Sequence, residues 1–210
     1  MSVIESISAE ELELDTAWWR IYEDAFPADE REPSEVILDS VRRGMGMAFR
    51  VRRDDTTFGL ATTHLLHHPA AVFLVYLAVA SDERSRGVGG QLLQVAWEMG
   101  AERLSAQSLQ PLGLIWEVDP TGSAVPDAEV RQRRIAFFER QGGRVLIRPY
   151  LQPPVDGINA VPMSLMFRPA DTETLSTESE EALVKAIYFE KYGGVNKIDR
   201  SILERLLLRR

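Results

Sequence analysis

Nine consecutive residues without a charge, Val72 to Ala80, are followed after a short polar spacer by Arg84-Ser85-Arg86-Gly87-Val88-Gly89-Gly90. An apolar run of that length bounded by turn residues reads as a buried strand. Beyond it, Leu92, Val95, Ala96 and Met99 recur at helical spacing, so Gln91 to Glu102 reads as a helix with one buried face. The glycines therefore fall at a helix N-terminus. Backbone N–H groups there lack intrahelical partners, the helix dipole adds positive potential, and missing Cβ atoms let an anion approach the main chain. Arg84, Ser85, Arg86, Gly87, Val88, Gly89 and Gly90 are the candidate anion ligands.

What the loop lacks narrows the anion. A nucleotide P-loop ends in Gly-Lys-Ser/Thr, whereas Gly90 is followed by Gln91 and Leu92. A dinucleotide fingerprint places its first glycine at the strand end and a third one three residues after the second, which this loop does not do. Bulk charge points away from nucleic acid and anionic membranes, because 24 basic against 32 acidic residues leave a net charge of −8. The chain has no cysteine, which excludes disulfides, thiolate metal sites and a cysteine nucleophile, and no metal-ligand pattern is evident. With 45% hydrophobic residues, no membrane-length apolar stretch and an acidic start, it reads as a cytoplasmic globular protein.

The remaining chain supplies alternating elements. Val3 to Ile7 reads as a strand, and Asp15 to Ala25 as a helix that Phe26-Pro27 stops. Ser34 to Arg43 reads as a second helix ending at Gly44, and Met47 to Arg53 and Phe58 to Leu66 as strands of a hairpin-like pair. After the glycine helix come a strand from Leu112 to Val118, a helix from about Asp127 to Gln141, and strands near Arg144 to Tyr150 and Pro162 to Phe167. The unit from Val72 to Val118 is expected to be a right-handed parallel crossover, with its loop at the carboxyl end of the strand, where α/β sheets bind ligands. From Glu178 to Tyr192 a further amphipathic helix is predicted, then a short one carrying Ile202, Leu203, Leu206 and Leu207. These cover an open sheet face, or else act as a homodimer contact or a lid.

Arg84-x-x-Gly87-x-Gly89, the preceding Leu77-Ala78-Val79, and Arg134-Ile135-Ala136-Phe137-Phe138-Glu139-Arg140-Gln141-Gly142-Gly143 together resemble the motifs of the GNAT N-acetyltransferases. The resemblance covers residues 1–169 well and the 170–210 extension loosely. It implies an α/β GNAT fold, with a mixed, mostly antiparallel twisted sheet, helices on both faces and a helical C-terminal extension. It implies acetyl-CoA as cofactor, bound by the glycine loop with Leu77, Ala78, Val79 and Phe138. It also implies an acceptor site shaped by the segment from Ala25 to Glu32, with Phe26, Glu30 and Tyr76 as substrate-binding candidates. The tyrosine that the family places beside the thioester is here Phe138, so the acid must come from Tyr150, Tyr76 or water. The acceptor expected is a small-molecule amine; protein or peptide acetylation and a catalytically weak acyl-CoA-binding module are the alternatives.

Acyl transfer to an amine requires that the amine lose a proton. An alkylammonium with pKa about 10.4 is under ~0.1% neutral at pH 7, a barrier contribution of roughly 4 to 5 kcal/mol. Glu117, inside the apolar run Leu112 to Val118, is the candidate base because a carboxylate there is desolvated. His64 is its rival. On strict alternation Phe73, Val75, Leu77 and Val79 share one face of their strand, and none of them titrates.

Overall fold

The computed structural model describes residues 2–120, 128–155, 157, 159–171 and 175–208. The strands are β1 (Ser2–Ile7), β2 (Gly46–Arg53), β3 (Thr56–His67), β4 (Ala70–Val79), β5 (Gly113–Val118), β6 (Arg144–Val145), β7 (Tyr150–Gln152) and β8 (Val161–Pro169). They form one sheet in the order β1-β2-β3-β4-β5-β8-β6, with β7 paired to β8. The β4–β5 pair is parallel and the other pairs are antiparallel. The strand expected from Arg144 to Tyr150 is split: Leu146–Pro149 separates β6 from β7, and Pro149 cannot donate to a ladder.

The helices are α1 (Ala9–Leu14), α2 (Thr16–Ala25), α3 (Ser34–Arg42), α4 (Val88–Ser105), α5 (Ala128–Arg140), α6 (Thr177–Ala186) and α7 (Arg200–Leu208). Sequence reading misses α1 although its start is legible. Ser8 and Glu11 form a reciprocal capping box, Ser8 Oγ accepting from Glu11 N at 3.2 Å and Glu11 Oε2 from Ser8 N at 2.9 Å. The single helix expected from Glu178 to Tyr192 is α6 continued by a π-helical segment, Ile187–Gly193.

The two sheet faces are covered differently. Leu92, Leu93 and Ala96 of α4 and Ile135 and Phe138 of α5 pack with Trp116, Leu114 and Phe49 on one face. On the other face α1 to α3 cover one half, bringing Leu12, Trp18, Ile37 and Leu38 against Ala48, Leu60 and Tyr76. The other half is covered by α6, the π-helical segment and α7, whose Leu183, Ile187, Tyr188 and Leu203 meet Phe73, Ile115, Leu165 and Phe167. Burial of each such large side chain is worth about 1.5–3 kcal/mol, so these C-terminal helices share the hydrophobic core of the sheet.

Two irregularities shape the centre. In the β3–β4 ladder, Thr62 pairs with Tyr76 but Thr63 with Leu74, so Val75 is an extra residue. Pairing of β4 with β5 ends at Leu74–Trp116, while β4 continues along β3 and β5 along β8. A V-shaped gap thus opens between the carboxyl ends of the two parallel strands.

Candidate active site

The glycine loop sits at the mouth of that gap. Gly87 occupies the N-cap of α4 with φ +81°, a backbone conformation that suits glycine, and no side chain caps the helix. A Cβ on Gly89 would lie 3.4 Å from the Phe137 ring, an ordinary contact, so internal packing does not by itself demand glycine there. Arg84 donates from Nε to Val79 O at 3.0 Å and stays exposed. Arg86 pairs with Glu83 at 3.0 Å, and Glu83 is also held by Arg53 at 2.9 Å, so part of the positive charge at the loop is compensated. Phe137, half-buried, is the aromatic residue against the loop, while Phe138 is 6% exposed with its ring 4.8 Å from that of Trp116.

On the opposite face lies the carboxylate of Glu117. Trp116 and Glu117 alternate across β5, so the tryptophan enters the α4–α5 core and the glutamate turns toward the C-terminal helices. Tyr150 Oη donates to Glu117 Oε1 at 2.5 Å, and Tyr192 Oη reaches both carboxylate oxygens at 2.8 and 2.9 Å. Gln152 Nε2 lies 3.3 Å from Glu117 Oε2 and from Tyr192 Oη. Burial pushes the Glu117 pKa up to about 7, against the hydrogen bonds from Tyr150 and Tyr192 and the attraction of Lys191. Burial and the adjacent carboxylate push both phenols well above their usual range, so they remain donors. The amide oxygen of Gln152 is buried without a protein partner.

A polar seam continues from Glu117 between the two groups of helices. Lys191 and Glu32, 2% and 4% exposed, form a buried ion pair. Asn196 completes it by accepting from Lys191 at 2.9 Å and donating to Glu32 at 2.7 Å. The loop after α2 is fixed to β4 through Tyr76, whose hydroxyl donates to Glu30 O at 2.8 Å and accepts from Glu32 N at 2.9 Å. Phe26 stacks edge-on against Tyr76 at 4.8 Å. Glu30 is half-buried, and burial together with Asp119 and Asp29 raises its pKa to about 6.

The structure thus brings Glu117 and Tyr150 together, and it gathers Phe26, Glu30 and Tyr76 at the adjoining loop. Strict alternation along β4 is overturned by the bulge at Val75. Phe73 and Tyr76 pack on the face that carries Glu117, whereas Leu77 packs with the α4–α5 core. Tyr76 is not available as an acid because its hydroxyl is committed to the loop backbone. His64 is 2% exposed, and burial plus nearby Lys191 lowers its pKa to about 3, too weak a base for the task. Sequence reading misses Tyr192, Lys191 and Gln152, and puts Glu32 in the acceptor-site segment without its buried ion pair. Tyr192 and Lys191 lie 75 and 159 residues from their acidic partners, with no local signal to join them. Among the described residues, no helix is long and apolar enough to cross a membrane.

Residues 13–111 match the model of the Acetyltransferase (GNAT) family. Among solved structures, a protein described as a GNAT-family acetyltransferase from Bacteroides thetaiotaomicron is 20% identical, with a TM-score of 0.68 over 92% of this chain and 99% of that one. The ribosomal-protein-S18-alanine N-acetyltransferase of Escherichia coli is 18% identical, with a TM-score of 0.56 over 83% of this chain and 97% of that one. Arabidopsis thaliana NAA60 in complex with acetyl-CoA is 17% identical, with a TM-score of 0.57 over 81% of this chain and 99% of that one. No curated protein matches the sequence significantly.

Proposed function

We propose that this chain acetylates the primary amine of a small molecule from acetyl-CoA by direct attack, with Tyr150 and Glu117 handling the proton, a reading supported by the match of residues 13–111 to the acetyltransferase (GNAT) family model. The observation that carries this reading is the 2.5 Å hydrogen bond from Tyr150 to a raised-pKa carboxylate on the strand that borders the gap. The glycine loop suits a pyrophosphate: an uncapped helix start, the glycines Gly87, Gly89 and Gly90, and the exposed Arg84 and Arg86. Bound acetyl-CoA supplies an electrophilic thioester carbonyl and a thiolate leaving group.

The chain's residues then govern the proton. An ammonium proton passes to Tyr150 Oη as the phenolic proton moves along its hydrogen bond to Glu117 Oε1, leaving a neutral amine and a protonated Glu117. At pH 7 a carboxylate of pKa about 7 is half ionised, so it both accepts and returns the proton. Burial of the amine lowers its own pKa and reduces the uphill step. In this reading Tyr150 returns the proton to the thiolate, since position 138 lacks a hydroxyl and Tyr76 is engaged, and the second nitrogen proton, acidified by the attack, leaves to bulk water as the amide forms. The absence of cysteine favours direct attack over an acyl-enzyme. The test is a panel of amines and peptides with acetyl-CoA, read as free thiol. Turnover on an amine that falls about 100-fold or more in Glu117→Gln, with CoA affinity unchanged, supports the reading. CoA binding without turnover on any amine overturns it.

A further inference from the structure

Beside this site a cleft of about 500 Å³ lies between β7, β8 and the C-terminal helices. Its wall is chiefly apolar, with Met163, Val184, Tyr188, Leu206 and Leu207 facing Tyr150. That volume falls in the usual range of small-ligand sites, roughly 300–1,000 Å³. Tyr150 is one of the residues lining the cleft and its hydroxyl is bonded to Glu117, so one residue joins the cleft to the proton-accepting carboxylate.

We propose that the acceptor is a monoamine with an apolar, ring-sized body that fills this cleft and presents its nitrogen toward Tyr150. The proposal rests on the acetyltransferase reading and assigns its substrate class. Charge distribution separates this occupant from a polyamine. Among the described residues that line the cleft none is acidic, and the charged one, Arg148, is paired with Glu181 at 3.0 Å. In the acidic loop after α2, Glu32 is paired with Lys191 and Asn196, and Asp29 and Glu30 are not among the residues that line the cleft. A second ammonium in the cleft would meet apolar wall or arginine, and an unpaired buried charge is strongly disfavoured. An uncharged body gains from the same wall by leaving water.

The experiment compares 2-phenylethylamine, spermidine and an alanine-terminated peptide as acceptors with acetyl-CoA, reading free thiol, in the parent protein and in Leu207→Trp and Leu207→Glu. Leu207 is half-buried at the cleft, so neither change threatens the core. The proposal predicts that kcat/KM for 2-phenylethylamine exceeds that for spermidine by at least tenfold. Leu207→Trp should lower the 2-phenylethylamine value about tenfold while CoA affinity, measured by calorimetry, is unchanged. Leu207→Glu should narrow the preference between the two amines. Faster turnover of spermidine or the peptide than of 2-phenylethylamine overturns the substrate class and leaves the acetyltransferase reading intact. Unchanged preference in both Leu207 variants also overturns it. CoA binding with no turnover of any acceptor overturns both.

Discussion

Replacing Tyr192 by phenylalanine isolates what the C-terminal extension contributes to the chemistry. The hydroxyl donates to the Glu117 carboxylate at 2.8 and 2.9 Å, and Tyr192 is 1% exposed, so its ring remains packed when the oxygen is removed. A hydrogen bond to a charged group contributes about 1.5–3 kcal/mol. It favours the ionised carboxylate, so its loss raises the Glu117 pKa, by about 1 to 2 units at 1.36 kcal/mol per unit. Starting from about 7, the base would titrate at about 8 to 9. The ionised fraction at pH 7 then falls from one half to between ~10% and ~1%. In Tyr192→Phe, kcat/KM at pH 7 should drop about 5- to 50-fold and recover as pH rises past about 9, the acid limb of the profile moving upward. CoA affinity should not change, because the glycine loop lies on another element. The assay is a pH profile of thiol release with the best acceptor from the amine panel. An acid limb at the parent's position, or an equal loss at every pH, would refute the assignment of Glu117 as the base that Tyr192 tunes.

Gly89→Val should weaken CoA binding at least tenfold by calorimetry while circular dichroism stays unchanged, since a branched side chain then stands where a phosphate must approach backbone. Glu117→Gln should also change stability with pH. A folded-state pKa raised from 4.5 to about 7 contributes stability that is complete below pH 4.5 and lost as pH rises through 7, up to about 3 kcal/mol. The variant cannot ionise, so its Tm should exceed the parent's at pH 8 by more than at pH 5, and an equal difference at both would refute the shift. Lys191→Met leaves the Glu32 carboxylate buried with the Asn196 amide still donating to it at 2.7 Å but no cation beside it, and should cost about 3–5 kcal/mol in a denaturant melt. Adding Glu32→Gln to Lys191→Met should recover part of that loss.

The sequence alone determined the elements that rest on local pattern. The uncharged run before Gly87, the helical spacing of Leu92, Val95, Ala96 and Met99, and Pro27 after α2 each act within a few residues, and the structure places strand, loop and helix accordingly. Glu117 stood out for a similar reason, a carboxylate inside an apolar strand. Tertiary structure decided the rest. The bulge at Val75 exchanges the faces of β4 beyond it, because one extra residue inverts a period of two, and this is what turns Tyr76 toward the α2–α3 loop. The π-helical geometry of Ile187–Gly193 sets Lys191 against Glu32 and Tyr192 against Glu117, pairings that span 159 and 75 residues of the chain. Period and composition reveal that a residue is buried, but not which distant group it meets there. The pKa of Glu117 depends on those meetings, since burial and its phenol and lysine neighbours arise only when the C-terminal helices close over the sheet.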